Sequence, residues 1–205
     1  MSGAASSGDG RQTPPVWTPA NVVTCARVAV VPLWLLVAEM SPAAGVGSSW
    51  SAGVFLLFVA LSLTDKLDGY LARSRGEVTT FGKFLDPIAD KLVVVVALCF
   101  LLERGVVCSW VLLVVVAREF LVSGLRMVVA TSGTVIAASP LGKGKTAVTM
   151  AAISVLLLAM ALPAGDTAGA LGLLGQALMV AAVVLTAWSG IDYFVKSWPY
   201  VAGGR

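Results

Sequence analysis

Long apolar segments alternate with short polar ones along most of the chain. The apolar segments lie at about residues 21–38, 48–64, 88–102, 106–129, 145–162 and 169–195. With helical extension each of them reaches about 17 residues, which is near the length needed to cross the hydrocarbon core of a bilayer. Lipid offers no hydrogen-bond partner to an open strand edge, so segments of this kind are predicted to be helices. The pattern therefore predicts an all-α integral membrane protein with six transmembrane helices.

The composition favours a membrane protein over a soluble one. Of the 205 residues 58% are hydrophobic and 12% are charged, and the mean hydropathy is +0.92, whereas soluble domains carry about 25% charged residues. We predict a single membrane domain over residues 19–198. Residues 1–18, which are rich in Ser, Gly and Pro, are predicted to form a disordered tail, and residues 199–205 a short C-terminal tail.

The distribution of charge predicts the orientation of the six helices. An even number of spans places both termini on one side, and the linkers of the opposite side carry a single basic residue, Arg104, in a predicted tight turn at residues 103–105. The basic residues of the first side are Arg11, Lys66, Arg73, Arg75, Lys83, Lys143, Lys145, Lys196 and Arg205. By the positive-inside rule this side is cytoplasmic. We therefore expect a protein of the bacterial inner membrane with both tails in the cytoplasm, and the small net charge of +3 does not indicate nucleic-acid binding.

Four carboxylates interrupt the apolar pattern between the second and third helices. Asp65 and Asp68 are three residues apart and share one face of the second helix. Asp86 and Asp90 are four residues apart and share one face at the start of the third helix. Two antiparallel helices would bring the pairs together, and four like charges at close range are unfavourable without a cation. The sequence has no histidine, so an all-oxygen site for two Mg²⁺ or Mn²⁺ ions is predicted, which suits phosphoryl transfer.

Two other interpretations of these aspartates are open on the residues alone. The aspartates would form an interfacial salt-bridge cluster if they paired with nearby basic residues, namely Lys66, Arg73, Lys83 and Lys91. In a protein of a different class they would form the acidic inner gate of a cation transporter. A transporter would need a broken helix or a path of carboxylates across the membrane, and the sequence indicates neither.

A second set of charges predicts an anion site near the aspartates. Arg118 lies within the fourth apolar segment, where an unpaired charge costs about 2.5–3.5 kcal/mol, and Arg126 lies about two turns further along nearly the same face. Lys143 and Lys145 follow in a basic loop that lacks the first glycine of a P-loop. An anion site beside a phosphoryl-transfer site would bind a further anionic group of a substrate. The alternative is a structural ion pair within the bundle, although Glu119 is expected on a different helical face from Arg118.

Residues 65–90 resemble one family motif at every fixed position. The fixed residues are Asp65, Asp68, Gly69, Ala72, Arg73, Gly82, Asp86 and Asp90. On these residues the chain is identified as a member of the CDP-alcohol phosphotransferase family, and six helices with the motif at the end of the second also resemble that family. The resemblance implies a homodimeric enzyme with a polar cavity open to the cytoplasmic side. It implies displacement at the β-phosphorus of a CDP-linked donor by an alcohol, with CMP leaving.

The resemblance assigns roles to individual motif residues. Asp65, Asp68 and Asp86 would hold two divalent ions. Asp90 would be a further ligand and also the general base that takes the proton from the attacking alcohol. Gly69 would let the nucleotide approach the helix closely, because glycine has no Cβ atom.

The resemblance also implies contacts with the CDP-linked donor. Arg73 would contact the diphosphate, and Thr79 in the connector would contact the nucleotide lipid. Asn21, Thr24 and Arg27, at the cytoplasmic end of the first helix, would contact the cytidine or the diphosphate.

Outside the motif the chain is most similar to family members that make phosphatidylglycerophosphate. The similarity rests on REFLVSGLR, GKGKT and SGIDYFVKS, at residues 118–126, 142–146 and 189–197, in addition to the three donor residues of the first helix. Such enzymes join CDP-diacylglycerol and sn-glycerol 3-phosphate, and the acyl chains would lie in the membrane between helices. Family members that make phosphatidylinositol phosphate, and those that make cardiolipin, are the alternatives.

Overall fold

The computed structural model of the chain describes residues 18–42, 47–75, 80–131 and 140–202. Over these ranges the chain forms six α-helices, in the order α1 (Pro19–Glu39), α2 (Ser49–Arg75), α3 (Thr80–Glu103), α4 (Ser109–Thr131), α5 (Pro140–Ala161) and α6 (Asp166–Ala202). Each helix contains most or all of one predicted apolar segment. The predicted all-α class is therefore confirmed.

Three of the described helical segments are long and apolar enough to cross a membrane. They are Asn21–Glu39 in α1, Gly144–Ala161 in α5 and Asp166–Ala202, which is the whole of α6. The apolar part of α2 that is described, Ser49–Thr64, is shorter. Large apolar side chains also cover the outer surface, as a bilayer allows and water does not. The chain is therefore a multi-pass membrane protein.

Helix α1 begins at a capping threonine. Thr18 has an extended backbone, and its Oγ1 accepts a hydrogen bond from the Asn21 N–H at 3.3 Å. Pro19 follows at the start of the helix, where the missing N–H is not needed. Thr18 is the last residue of the predicted N-terminal tail, and residues 1–17 lie outside the described ranges. At the other end of the chain α6 continues through residues 199–202, which were assigned to the C-terminal tail.

The predicted tight turn between α3 and α4 is present in the structure. The Gly105 N–H donates to the Leu102 carbonyl at 3.0 Å, and the Val106 N–H donates to the Leu101 carbonyl at 2.9 Å. These two bonds define a Schellman motif, which closes a helix with a residue in the left-handed region. Gly105 has a φ of 68° and adopts that region without a steric penalty. The short connection makes α3 and α4 antiparallel neighbours.

The described parts of three helix connections, at residues 40–42 with 47–48, 104–108 and 162–165, lie together at one end of the bundle, which we call the short-loop end. The Arg104 guanidinium donates to the carbonyls of Ser41 and Pro42, beyond the end of α1, at 3.1 and 3.2 Å. Gly47, just before α2, packs closely on Pro163, so that a Cβ atom at this glycine would lie 2.6 Å from the proline Cγ. The end of α2 and the start of α3, which carry the aspartate motif, lie at the opposite end. We call it the motif end.

An apolar core centred on Trp34 fills the short-loop half between α1, α2 and α3. The ring centroid of Trp34 lies 5.9 Å from that of Phe58 and 5.8 Å from that of Phe100. The indole N–H donates to the Val54 carbonyl at 3.0 Å, which satisfies its one polar group. This packing holds the three helices together away from the motif end.

Candidate functional site

The buried side chains change from apolar to polar towards the motif end. In α5 the buried residues are, in chain order, Lys145, Thr149, Ala152, Ile153, Leu156, Leu157, Met160 and Ala161. Helix α6 runs the opposite way and shows the opposite order, with Gly175, Met179, Ala182, Thr186, Ser189, Tyr193 and Ser197 buried. Polar groups inside a membrane protein are costly and usually face a binding site or a partner. The motif end is therefore the candidate functional region.

The four motif aspartates lie on the two helices that meet the motif end. Asp65 and Asp68 are on α2, and Asp86 and Asp90 are on α3, as the sequence predicts. The side chains of these residues are outside the described part of the structure, as are those of Arg73 and Lys143 and the whole of residues 76–79, with Thr79. The donor set fits the implied metal, since paired carboxylates on two helices are the hard oxygen ligands that Mg²⁺ and Mn²⁺ take. Among the described side chains, which exclude these aspartates, no group of three or more His, Cys, Asp and Glu comes together.

The proposed donor residues of α1 lie at the motif end of that helix and are buried. Asn21 and Thr24 are each 2% exposed, and Arg27 is 3% exposed. They are spaced three apart and therefore follow one side of the helix. Their burial shows that the polar character of the motif end extends to α1.

A four-residue ion-pair cluster joins α3, α4 and α5 at the motif end. Glu119 of α4 accepts a hydrogen bond from Arg118 Nη1 at 3.1 Å and a second one, on the same carboxylate oxygen, from Lys145 Nζ of α5. Lys91 Nζ of α3 lies 3.8 Å from the other carboxylate oxygen. The same ammonium group donates to the hydroxyl of Ser123, one turn along α4 from Glu119. We call Lys91, Arg118, Glu119 and Lys145 the Glu119 cluster.

The Glu119 cluster carries an excess of positive charge. Three cations surround one carboxylate, so the formal charge of the four residues is +2. The side chains of Arg118, Glu119 and Lys145 are only 9–17% exposed, so water screens these charges weakly. Lys91 directly follows Asp90 in α3, which places the cluster next to the aspartate motif. A partly buried surplus of positive charge at this position is suited to binding an anion.

The two arginines of α4 both contact α6, and only one of them belongs to the cluster. A Cβ atom at Gly190 would lie 3.1 Å from Arg118 Cγ, so the glycine allows the arginine stem to lie against α6. The Arg126 guanidinium carbon lies 5.6 Å from the ring centroid of Tyr193, in a cation–π contact. The structure therefore brings Arg118 and Lys145 together on Glu119 and holds Arg126 separately on Tyr193.

Sequence reasoning did not identify Lys91, Ser123 or the buried face of α6 as parts of this region. The sequence indicates Lys91 only as a partner for the aspartates, although its position directly after Asp90 places it at the motif end. The spacing of Glu119 and Ser123, four residues apart, indicates a shared helical face. The expectation that Glu119 and Arg118 point apart holds for the backbone, but their long side chains still meet.

Comparison with known proteins places the motif and the Glu119 cluster within one family profile. The profile of the family described as CDP-alcohol phosphatidyltransferase matches residues 17–188. That range includes both aspartate pairs, the donor residues of α1 and the whole Glu119 cluster.

The chain is also similar to curated proteins over most of its length. It is 37% identical to a CDP-diacylglycerol–glycerol-3-phosphate 3-phosphatidyltransferase of Bacillus subtilis, over 87% of this chain and 94% of that protein. It is 41% identical to a protein of the same name from Rickettsia bellii, over 85% of this chain and 92% of that protein. A probable phosphatidylglycerophosphate synthase of Mycobacterium tuberculosis is 36% identical, over 91% of this chain and 84% of that protein.

Proposed function

The chain belongs to the CDP-alcohol phosphatidyltransferase family, and on that premise we propose that it transfers the phosphatidyl group of CDP-diacylglycerol to sn-glycerol 3-phosphate. The products are phosphatidylglycerophosphate and CMP. The observation that carries this proposal is similarity over more than four-fifths of the chain to enzymes named for that reaction. The excess positive charge of the Glu119 cluster supports a phosphorylated acceptor, because this charge favours binding of an anionic group beside the motif.

The proposed mechanism places the reacting groups at the motif end. Asp90 takes the proton from the acceptor hydroxyl, and the hydroxyl oxygen attacks the β-phosphorus as the bond to CMP breaks. Asp65, Asp68, Asp86 and Asp90 would hold two Mg²⁺ or Mn²⁺ ions, which neutralise the diphosphate charge when bound. CMP leaves as an anion and therefore needs no strong protein acid.

The substrates are proposed to bind on opposite sides of the aspartates. On the donor side, the residues that contact CDP-diacylglycerol are Asn21, Thr24, Arg27, Gly69, Arg73 and Thr79. On the acceptor side, the residues that contact the phosphate of glycerol 3-phosphate are Arg118, Arg126, Lys143 and Lys145. The burial of the α1 residues at the motif end supports the first assignment, and the Glu119 cluster supports the second.

The membrane arrangement that we propose has six spans and a polar cavity at the motif end, open to the cytoplasm. The switch from apolar to polar buried residues along α5 and α6 supports a cavity on that side. The basic residues of the motif end support a cytoplasmic orientation at the inner membrane, with both termini inside. A membrane domain over residues 19–198 and assembly as a homodimer complete the proposal.

Acceptor-dependent release of CMP tests the proposed function. Purified protein in detergent is given CDP-diacylglycerol and Mg²⁺, with glycerol 3-phosphate, inositol phosphate or phosphatidylglycerol offered separately. We expect release only with glycerol 3-phosphate. Release only with another acceptor would agree with the family assignment but would show that glycerol 3-phosphate is not the acceptor. The absence of release with any acceptor would contradict the phosphotransfer reaction itself.

Replacing Arg118 with alanine should weaken the use of the phosphorylated acceptor. The change removes a charge-assisted contact to phosphate, a type of hydrogen bond worth about 1.5–3 kcal/mol, so we expect the KM for glycerol 3-phosphate to rise about tenfold or more. The KM for CDP-diacylglycerol should change little. Steady-state CMP release with each substrate varied in turn measures both constants.

Lys196→Ala is the matched control for Arg118→Ala. Lys196 is a basic residue of α6 that is 56% exposed and pairs with Asp192, so its loss should leave both KM values unchanged. An Arg118→Ala variant with the wild-type KM for glycerol 3-phosphate would remove Arg118 from the acceptor site.

A further inference from the structure

Three buried hydrogen-bond donors in the contact between α4 and α6 have no partner within the described part of the structure. They are Arg118 Nε, Thr186 Oγ1 and the Tyr193 hydroxyl. Thr186 is 1% exposed and Tyr193 is 4% exposed. Buried donors that make no hydrogen bond are rare in native proteins. Each one needs an explanation, such as a ligand or a water molecule that binds there.

The three donors surround one glycine. Thr186, Gly190 and Tyr193 are four and three residues apart, so they follow one face of α6 with the glycine in the middle. Arg118 lies against this glycine, with its Cγ atom 3.1 Å from the position that a glycine Cβ would occupy. We call Arg118, Thr186, Gly190 and Tyr193 the Gly190 notch.

Several other hydroxyls in the described helices donate to a backbone carbonyl of their own helix. Thr64 and Thr149 each donate to the carbonyl four residues earlier, at 2.7 and 2.8 Å. On α6 itself, Ser189 donates to the Thr186 carbonyl and Ser197 donates to the Tyr193 carbonyl. A helix therefore offers its own carbonyls to short hydroxyl side chains, and Thr186 keeps its hydroxyl available instead. The Tyr193 hydroxyl lies at the end of a long ring and must find its partner outside its own helix.

The charge around the notch indicates which ligand it suits. Arg118 is a cation, and the Arg126 guanidinium lies over the ring of Tyr193 at 5.6 Å. Two cations and two hydroxyl donors together favour a ligand with anionic oxygen atoms. A phosphate group meets this requirement, since it offers several strong acceptor oxygens.

We propose that the Gly190 notch binds the phosphate of the phosphorylated acceptor, with Tyr193 donating a hydrogen bond from its hydroxyl. This inference rests on the proposed function and extends it, because no residue of α6 is otherwise part of the acceptor site. Tyr193 and Thr186 then discriminate in favour of a phosphorylated alcohol over the same alcohol without its phosphate.

Tyr193→Phe separates ligand binding from structural support. The change removes only a hydroxyl that makes no hydrogen bond in the free protein, so the melting temperature in detergent should stay the same or rise. The KM for glycerol 3-phosphate should rise about tenfold, and the KM for CDP-diacylglycerol should stay the same. Thr186→Val, which keeps the side-chain shape, should also raise the KM for glycerol 3-phosphate.

Ser189→Ala and Ser197→Ala are the matched controls, because their hydroxyls already donate to backbone carbonyls of α6. Both controls should keep the wild-type KM values. A second readout needs no turnover: inorganic phosphate, added without donor lipid, should raise the melting temperature of wild type and of both controls. It should stabilise Tyr193→Phe and Thr186→Val less.

Two results would overturn the notch as a phosphate site. The first is wild-type KM values and a wild-type phosphate response in both variants, which would mean that the donors hold an ordered water only. The second is a lower melting temperature with an unchanged KM for glycerol 3-phosphate, which would mean structural support. A wild-type protein that releases no CMP with glycerol 3-phosphate would instead contradict the proposed function, and the phosphate response would still decide the role of the notch.

Discussion

Asp90→Asn should lower the rate of CMP release by about 10²–10⁴-fold, which is the usual contribution of a general base. Asparagine keeps the shape of the side chain but cannot take the proton from the acceptor hydroxyl. It also removes one negative charge from the proposed metal ligands, but higher Mg²⁺ concentrations should not restore the rate, because the proton acceptor is still missing. The helical position of residue 90 tolerates asparagine, and the melting temperature in detergent should remain close to that of wild type.

Asp166→Asn is the matched control for this prediction. Asp166 is an exposed carboxylate in the first turn of α6, at the short-loop end, far from the motif. Its replacement should leave CMP release unchanged. Normal CMP release by Asp90→Asn would exclude Asp90 as the base, whereas an equal loss in both variants would mean that the assay reports protein stability.

Glu119→Gln should produce the largest loss of stability among single changes in the basic region. Three cations converge on this carboxylate, and an amide cannot neutralise any of them. Removing one partner of a buried ion pair costs about 3–5 kcal/mol, and we expect about 3 kcal/mol here because the side chain retains some exposure. Chemical unfolding in detergent measures the loss, and the KM for glycerol 3-phosphate should rise as Arg118 and Lys145 lose their fixed positions.

The exposed pair on α6 provides the comparison for Glu119→Gln. Asp192 accepts a hydrogen bond from Lys196, four residues on, at 2.8 Å. Because an exposed pair of this kind contributes at most about 1 kcal/mol, Asp192→Asn should hardly change the free energy of unfolding. If Glu119→Gln lost no more stability than Asp192→Asn, the cluster would not be what joins α3, α4 and α5.

The helices were predictable because lipid imposes a length and a composition on each segment. The turn at Gly105 was also predictable, since a glycine between two closely spaced apolar segments suits a helix ending. The sequence did not predict how far α2 and α6 extend beyond their apolar parts, to Arg75 and Ala202. Charged and polar residues at a membrane surface are compatible with both helix and loop, so hydropathy alone does not decide between them.

Tertiary contacts limited what the sequence could predict about the site. The aspartate pairs follow from spacing within single helices, which sequence shows directly. The Glu119 cluster depends on residues from three helices, and their meeting is decided by packing. Arg118 and Arg126 were expected to form one basic strip, but only Arg118 reaches Glu119, because Tyr193 of α6 provides a separate contact for Arg126.

The contact of Arg104 with the end of α1 has a consequence for the order of events during synthesis. The carbonyls of Ser41 and Pro42 lie just beyond the end of α1 and have no donor within that helix. They receive hydrogen bonds from Arg104, a residue that leaves the ribosome more than 60 positions later. In the six-span arrangement that we propose, the first helical hairpin therefore enters the membrane with these groups still hydrated. Its final position is fixed only when the third helix has been inserted and its closing turn reaches the opposite surface.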